Sequence, residues 1–240
     1  MGRENKDKEG LKWSDNVKFH PWVGEDYKNG IVGYDENGII QYGESEGEGK
    51  KILVLGESHY CYDESEAIPE LTNDIIKDLI APESEWEPYK NTYTKFIKSL
   101  TGYIDELDDE VKKEAWQHIA FYNYVQEPIT GPRIAPSKED FSNSVVAFEE
   151  ILDKLNPDLV IIWGKRLYNN LPQDLVNYKG DNLEDLEAKI YDYLFEDIEI
   201  WSYKGEKLIV FLPIVHPAAA MFEIYFWSKV IQGFIVKKYE

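Results

Sequence analysis

The sequence predicts an α/β fold, a single domain with three layers (α/β/α) around a central, mainly parallel sheet of four strands. Four short apolar runs rich in branched residues recur along the chain, near residues 51–56, 118–123, 158–163 and 208–215. Each run is typical of a strand that is buried on both faces of a sheet. Helical patterns separate the runs, as expected for parallel strands that crossover helices connect.

Two regions are expected, an N-terminal extension at residues 1–49 and the α/β domain at residues 50–240. Residues 13–27 contain several aromatic side chains and are expected to pack onto the domain. Apolar residues flank Asp35-Glu36-Asn37-Gly38, a pattern that predicts a β-hairpin. An acidic, Gly-rich linker at residues 43–49 then leads to the first core strand.

Helices are predicted from the spacing of apolar residues and from their start and stop signals. They are expected near residues 75–80, 93–100, 104–116, 137–155, 165–171, 183–194 and 221–239, with an edge strand near 198–203. Ser137, followed by Glu139 and Asp140, is a capping signal for the fourth of these helices.

The charge of the chain limits the kinds of partner that it can bind. The formal net charge is −20, from 46 acidic and 26 basic residues, whereas affinity for nucleic-acid phosphate normally comes from Lys and Arg. A single cysteine, Cys61, excludes an internal disulfide and a four-cysteine metal or iron–sulfur site. With no long apolar stretch and a charged N-terminus, we expect a cytoplasmic monomer without membrane contact, cofactor or metal.

Polar side chains follow three of the four predicted strands. Gly56-Glu57-Ser58-His59-Tyr60 follows the first strand, Asn123 ends the second, and His216-Pro217 follows the last. Ligands of open α/β sheets bind at the carboxyl ends of the strands, so these groups predict one shared site. Each residue also has a structural interpretation, as a turn acceptor, a loop cap or a core histidine.

Several of these segments resemble the uracil-DNA glycosylase superfamily, over roughly residues 50–225. NYVQEPITGPRIAPSKEDF is similar to that family's strand-end Asn, Pro/Arg loop and helix start. PDLVIIWGKRLYNNL is similar to its next strand and Gly-Lys turn, and VHPAAA to its His-Pro-Ser motif.

The resemblance implies a role for each matching residue. Glu57 matches the acid of a Gly-Glu-Ala-Pro-Gly motif, while Ser58 and Tyr60 match the Asp and Tyr of a Gly-Gln-Asp-Pro-Tyr motif. Asn123 matches the amide that reads the base, and His216 the histidine that bonds the base O2 oxygen. Ala220 or Met221 lies where the family inserts a wedge into the duplex.

The sequence also departs from the family pattern. His59 replaces the usual proline, Ala218 replaces a phosphate-contacting serine, and the cysteines of the iron–sulfur branch are missing. Tyr60, Tyr62 and Tyr122 are the candidates for stacking on a base, and Arg133, Lys165 and Arg166 for meeting phosphates.

The resemblance implies a DNA glycosylase that hydrolyses the N-glycosidic bond of uracil or another altered pyrimidine, in base-excision repair or anti-phage defence. Glu57 would position water and His216 would stabilise the departing base, with Ser58 and His59 as further catalytic candidates. The enzyme would flip its nucleotide from single-stranded, distorted or modified DNA. The charge and Ala218 leave open an alternative, a non-catalytic member of the fold that binds nucleic acid or protein.

Overall fold

A computed structural model describes residues 11–82, 84–131, 134–172, 176–179, 201–204 and 208–238. A mainly parallel sheet crosses this part of the chain, with helices on both faces, so the predicted three-layer α/β arrangement is confirmed. The sheet strands are β1 (Trp22–Val23), β4 (Ile52–Gly56), β5 (Ile119–Asn123), β6 (Leu159–Trp163), β7 (Val176–Lys179), β8 (Trp201–Lys204) and β9 (Leu208–Ile214). A separate hairpin, as predicted, contains β2 (Ile31–Tyr34) and β3 (Ile40–Tyr42).

The helices in the described part of the chain are α1 (Leu71–Ile80), α2 (Lys90–Thr101), α3 (Asp109–Gln117), α4 (Lys138–Asn143), α5 (Val145–Leu155), α6 (Lys165–Asn170) and α7 (Ile224–Val236), with a 3₁₀ turn at Glu64–Glu66. None of them has the length and hydrophobicity that crossing a bilayer requires.

The strand order is β1-β5-β4-β6-β9-β8-β7. The four predicted core strands, β5, β4, β6 and β9, are parallel to one another, as expected. The predicted number of four strands is wrong, because antiparallel strands extend both edges. At one edge β1 pairs with β5, which makes Trp22 and Val23 of the N-terminal extension part of the sheet.

Alternation along the strands divides the core into two layers, because successive strand side chains point to opposite faces. Val54, Phe121 and Trp163 lie on the face that α1, α2, α3 and α7 cover. Leu55 and Tyr122 lie on the face that α4, α5 and α6 cover. Each parallel strand is therefore buried on both sides, which explains its unbroken apolar sequence.

The crossovers place a topological switch beside β4. From β4 the chain passes over one face, through α1, α2 and α3, to β5. From β5 it returns over the other face, through α4 and α5, to β6 on the opposite side of β4. Crevices at the carboxyl ends of strands form where the strand order reverses in this way, so a ligand site is expected between β4 and β6.

Two predicted helices have different bounds for local reasons. The helix expected from residue 104 begins at Asp109, because Asp108 is its N-cap and accepts a hydrogen bond from Val111 N at 2.7 Å. The helix expected over residues 137–155 is broken at Ser144, whose buried hydroxyl accepts a bond from Gln126 N at 3.0 Å. The helix predicted at residues 183–194 lies outside the described residues.

Candidate functional site

An ion pair joins the ends of β4 and β6, where the strand order predicts a crevice. Glu57 directly follows β4, and Arg166 lies in the first turn of α6, just after β6. The Arg166 guanidinium donates two hydrogen bonds to the two Glu57 carboxylate oxygens, the Nε–Oε1 bond being 2.7 Å long. The fork of the guanidinium matches the geometry of a carboxylate, so the pair fixes the position of the Glu57 side chain.

The two partners differ in their access to solvent. The Glu57 side chain is 12% exposed and the Arg166 side chain 52% exposed. Arg166 therefore lies nearer to solvent and Glu57 lies deeper. Its hydrogen bonds to Glu57 raise the pKa of Arg166, which keeps the guanidinium charged.

His216 lies in the same crevice, after the end of β9. Burial lowers the pKa of His216, while Glu57 raises it and Arg166 lowers it. The His216 side chain lies beside Gly164, directly before α6, since a Cβ on Gly164 would be 3.4 Å from His216 Cβ. The Ala218 backbone N–H donates to His216 Nδ1 at 3.1 Å. Nδ1 is therefore the acceptor of a neutral ring, so the proton lies on Nε2, and this N–H can act as a hydrogen-bond donor.

Aromatic rings form the floor beneath His216. The Trp163 ring, at the end of β6, meets the His216 ring edge-to-face with centroids 6.0 Å apart. The rings of Tyr93 and Phe121 pack against the Trp163 ring, with centroid distances of 5.5 and 5.1 Å respectively. The buried Trp163 indole N–H has no hydrogen-bond partner among the described residues. The floor is therefore largely apolar, and the Trp163 N–H is a donor that no described residue uses.

Asn123 lies at the same edge of the sheet but deeper, and His59 lies against it. Asn123 Nδ2 is 3.0 Å from His59 Nε2, which is also 2.8 Å from Thr72 Oγ1 at the start of α1. Asn123 is 5% exposed and His59 is 3% exposed. The loop after β5 covers both side chains. It runs beside the segment that follows β4, where Val125 N–H donates to Glu57 O and Ile129 N–H donates to His59 O.

Gly56 makes room for Asn123. A Cβ on Gly56 would lie 2.2 Å from Asn123 Oδ1 and 2.9 Å from Phe121 Cζ, both far inside van der Waals contact. The carboxamide oxygen therefore packs directly on the backbone at the end of β4. Only glycine permits this approach.

Burial lowers the pKa of His59 to about 3, so the ring is neutral at physiological pH. We expect this group to make the protein less stable on acidification. In the unfolded chain His59 binds a proton near pH 6.5, whereas in the native chain it binds one only near pH 3. Stability should therefore fall by about 1.4 kcal/mol per pH unit within this window. Urea denaturation at several pH values between neutral and mildly acidic measures the slope.

His59→Gln is the matched variant for this measurement, because its amide keeps a polar group near Thr72 but does not titrate. Its stability should depend less steeply on pH than that of the wild type between about pH 6.5 and about pH 4. Equal slopes for the two proteins would show that His59 does not carry the effect.

The other predicted site residues lie at different depths around the crevice. Tyr60 is 51% exposed and interacts electrostatically with Arg166 and Tyr93, and Tyr62 is more exposed still. Ser58 is half-buried and Lys165 is exposed beside Arg166. Ala220 and Met221 lie exposed in the turn after His216. Arg133 lies outside the described residues.

Tyr122 requires a correction, because the structure contradicts its prediction as a base-stacking residue. It is fully buried on the opposite face of the sheet, among Tyr124, Phe148 and their neighbours. The alternation along β5 explains this, since Tyr122 and Asn123 must point to opposite faces. His59 is buried as well, and its Nε2 lies 2.8 Å from Thr72 Oγ1.

Thr72, Trp163 and Tyr93 were not predicted as site residues. The signal for Trp163 was its place as the last residue of a core strand, directly before Gly164. Thr72 carried no signal, because its contact with His59 depends on how α1 docks.

The described part of the chain has no group of three or more His, Cys, Asp or Glu side chains arranged to hold a metal ion. No protein-family model matches the chain, and no curated protein matches it.

Proposed function

We propose that the chain is a DNA glycosylase of the uracil-DNA glycosylase type, which hydrolyses the bond between an altered pyrimidine and its sugar. One observation carries the proposal. A carboxylate, Glu57, and an imidazole with an Nε2–H donor, His216, follow β4 and β9, the two strands that flank β6, at the switch-point edge of an α/β sheet. These are the two groups that the reaction requires at opposite sides of the bond that breaks.

The chemistry follows from the charges that develop in the transition state. As the C1′–N bond breaks, its electron pair leaves with the base, and positive charge develops on the sugar. Neutral His216 donates from Nε2 to a base oxygen as this negative charge develops. Glu57 orients a water toward C1′ and stabilises the cationic sugar, and the proton of that water passes to the carboxylate or to solvent.

The ion pair with Arg166 is compatible with this role of Glu57. A carboxylate has about four acceptor positions, and the guanidinium uses two of them. The remaining lone pairs can accept from a water molecule. Arg166 is half-exposed, and its remaining N–H groups can meet a phosphate of the substrate.

The surface around the crevice favours a single-stranded or unpaired substrate. The chain has a net charge of −20, which opposes tight binding along a regular duplex. Exposed Tyr60, Tyr62 and Met221 instead offer apolar surface after β4 and β9. Stacking on aromatic rings contributes about 1–3 kcal/mol per base and does not require a basic surface.

A panel of oligonucleotides tests this function. Each would carry one altered pyrimidine, in single-stranded, mismatched and fully paired form. Cleavage by alkali after incubation with the purified protein reports abasic sites. We expect cleavage with at least one altered pyrimidine, fastest in the single-stranded or mismatched form. Binding without cleavage across the panel would support the non-catalytic alternative, in which the crevice only recognises a base.

The pH dependence of base release provides a further prediction. The neutral His216 ring accepts the Ala218 N–H at Nδ1, and its pKa lies below the ordinary value of 6.5. Activity should therefore be level near neutral pH and should fall only at more acidic pH, where a proton on Nδ1 breaks this bond and the ring loses its position. A single-turnover pH–rate profile checks this, with His216→Gln as the variant in which the acidic limb should disappear. A limb that persists in His216→Gln would assign the titration to another group.

A further inference from the structure

We propose that His59 and Thr72 are positioning residues that fix the orientation of the Asn123 carboxamide. The Thr72 hydroxyl holds the imidazole, and the imidazole holds the amide nitrogen of Asn123, so that the amide oxygen is turned toward Gly56 at the strand end. The pair would thereby set the donor and acceptor pattern that Asn123 presents to a base. This specificity role rests on the proposed function, whereas the orientation itself does not.

The distances show how the amide meets the ring. Asn123 Nδ2 lies 3.0 Å from His59 Nε2 and 3.4 Å from His59 Nδ1. An atom this close to both ring nitrogens lies over the face of the ring, because in the ring plane it would overlap the carbon between them. The hydrogen-bond partner of Nε2 is the Thr72 hydroxyl, at 2.8 Å.

The charge distribution of the ring selects one orientation of the amide. The face of a neutral aromatic ring is negative, so it attracts the hydrogens of an NH₂ group and repels a carbonyl oxygen. The NH₂ group of Asn123 therefore lies on His59, and Oδ1 lies beside Gly56. The side chains of Asn123, His59 and Thr72 are all buried, so water does not compete for these contacts and one arrangement is favoured.

An aromatic ring also packs against the imidazole. The ring of Phe19, from the N-terminal segment, lies 4.8 Å from the His59 ring, centroid to centroid. The imidazole is thus held between Phe19, Thr72 and Asn123, and each contact comes from a different part of the chain. Packing alone would still allow the imidazole to flip about its Cβ–Cγ bond, but the hydrogen bond with Thr72 fixes the position of Nε2.

Side-chain amide NMR of the free protein tests the orientation without any substrate. Protons over the face of an aromatic ring are shielded, so the Asn123 NH₂ resonances should be shifted upfield. Thr72→Ser keeps the hydroxyl and should keep the shift, whereas Thr72→Val and His59→Leu should lose it. Ordinary Asn123 NH₂ shifts in the folded wild-type protein would overturn the proposal.

Base selection tests the specificity role. Thr72→Val should reduce the ratio of single-turnover rates between the preferred and the next-best base by roughly 3–10-fold, the size expected for one misplaced hydrogen bond. Thr72→Ser keeps the hydroxyl and should retain the wild-type ratio. A changed ratio in Thr72→Val, but not in Thr72→Ser, would then be due to the lost hydroxyl and not to lower stability alone.

The outcomes separate this proposal from the proposed function. An unchanged rate ratio in a folded Thr72→Val variant would overturn the specificity role. A wild type that releases no base, but shows the upfield Asn123 shift, would overturn the glycosylase and its specificity role and support the positioning of Asn123. If Thr72→Val does not fold, the shift in the wild type and its loss in His59→Leu still decide the orientation.

Discussion

Replacing Glu57 with Gln should remove most single-turnover base release while leaving the fold intact. The glutamine side chain is nearly isosteric with that of glutamate, but it lacks the charge that orients water and stabilises the cationic sugar. Positioning and acid–base roles of this kind contribute about 10²–10⁴-fold to the rate, and we expect a loss in that range. The cost in stability should be below about 1 kcal/mol, because the partner Arg166 remains half-exposed to solvent. Single-turnover kinetics and urea denaturation measure the two effects.

Glu150→Gln is the matched control for this substitution. Glu150 also forms an ion pair, with Lys154 at 2.7 Å, and its side chain is 17% exposed, close to the value for Glu57. It lies on α5, away from the crevice, so its loss should leave base release unchanged. An active wild type with an equally active Glu57→Gln variant would contradict the assigned role of this carboxylate.

Replacing Gly56 with Ala should both destabilise the protein and disable base selection. The added methyl group would lie 2.2 Å from Asn123 Oδ1, so the carboxamide must move away from the strand end. Overpacking of this kind typically costs about 1–3 kcal/mol, and we expect a loss in that range. The displaced amide should also slow single-turnover base release, because Asn123 no longer meets the base. Urea denaturation and single-turnover kinetics check the two effects.

Gly131→Ala controls for the change in backbone entropy that any Gly-to-Ala substitution brings. Among the described residues, a Cβ at Gly131 would meet Tyr62 Cε1 alone, at 3.6 Å, which is ordinary contact. Its stability should stay close to that of the wild type or rise slightly. If Gly56→Ala is as stable and as selective as Gly131→Ala, the packing described for Asn123 is wrong.

The core strands could be predicted because each one is marked by its own local sequence. Strands buried on both faces must be apolar throughout, and the four core strands were each found to within about one residue for this reason. The short edge strand at Val176–Lys179 was missed, since its sequence VNYK has no apolar run. The break at Ser144 was also missed, because it depends on a bond to Gln126, 18 residues away.

The depth of each site residue could not be predicted. The polar residues after the strands were visible in the sequence, and the parallel sheet brings them to one edge. The pairing of Glu57 with Arg166 depends on β6 lying beside β4, which no local pattern reveals. The burial of His59 and Asn123 depends on the loop after β5 closing over them. Tyr122 is different, because the alternation of β5 already placed it opposite Asn123.

Quantifying the free base tests the proposed glycosylase activity most directly. One single-turnover reaction with an altered-pyrimidine oligonucleotide would be divided, with released base measured by mass spectrometry and abasic sites by alkali cleavage. We predict equal amounts of the two products with the wild type, and very little of either with Glu57→Gln. Neither product from any altered pyrimidine, with protein that is folded and binds the oligonucleotide, would contradict the proposed activity.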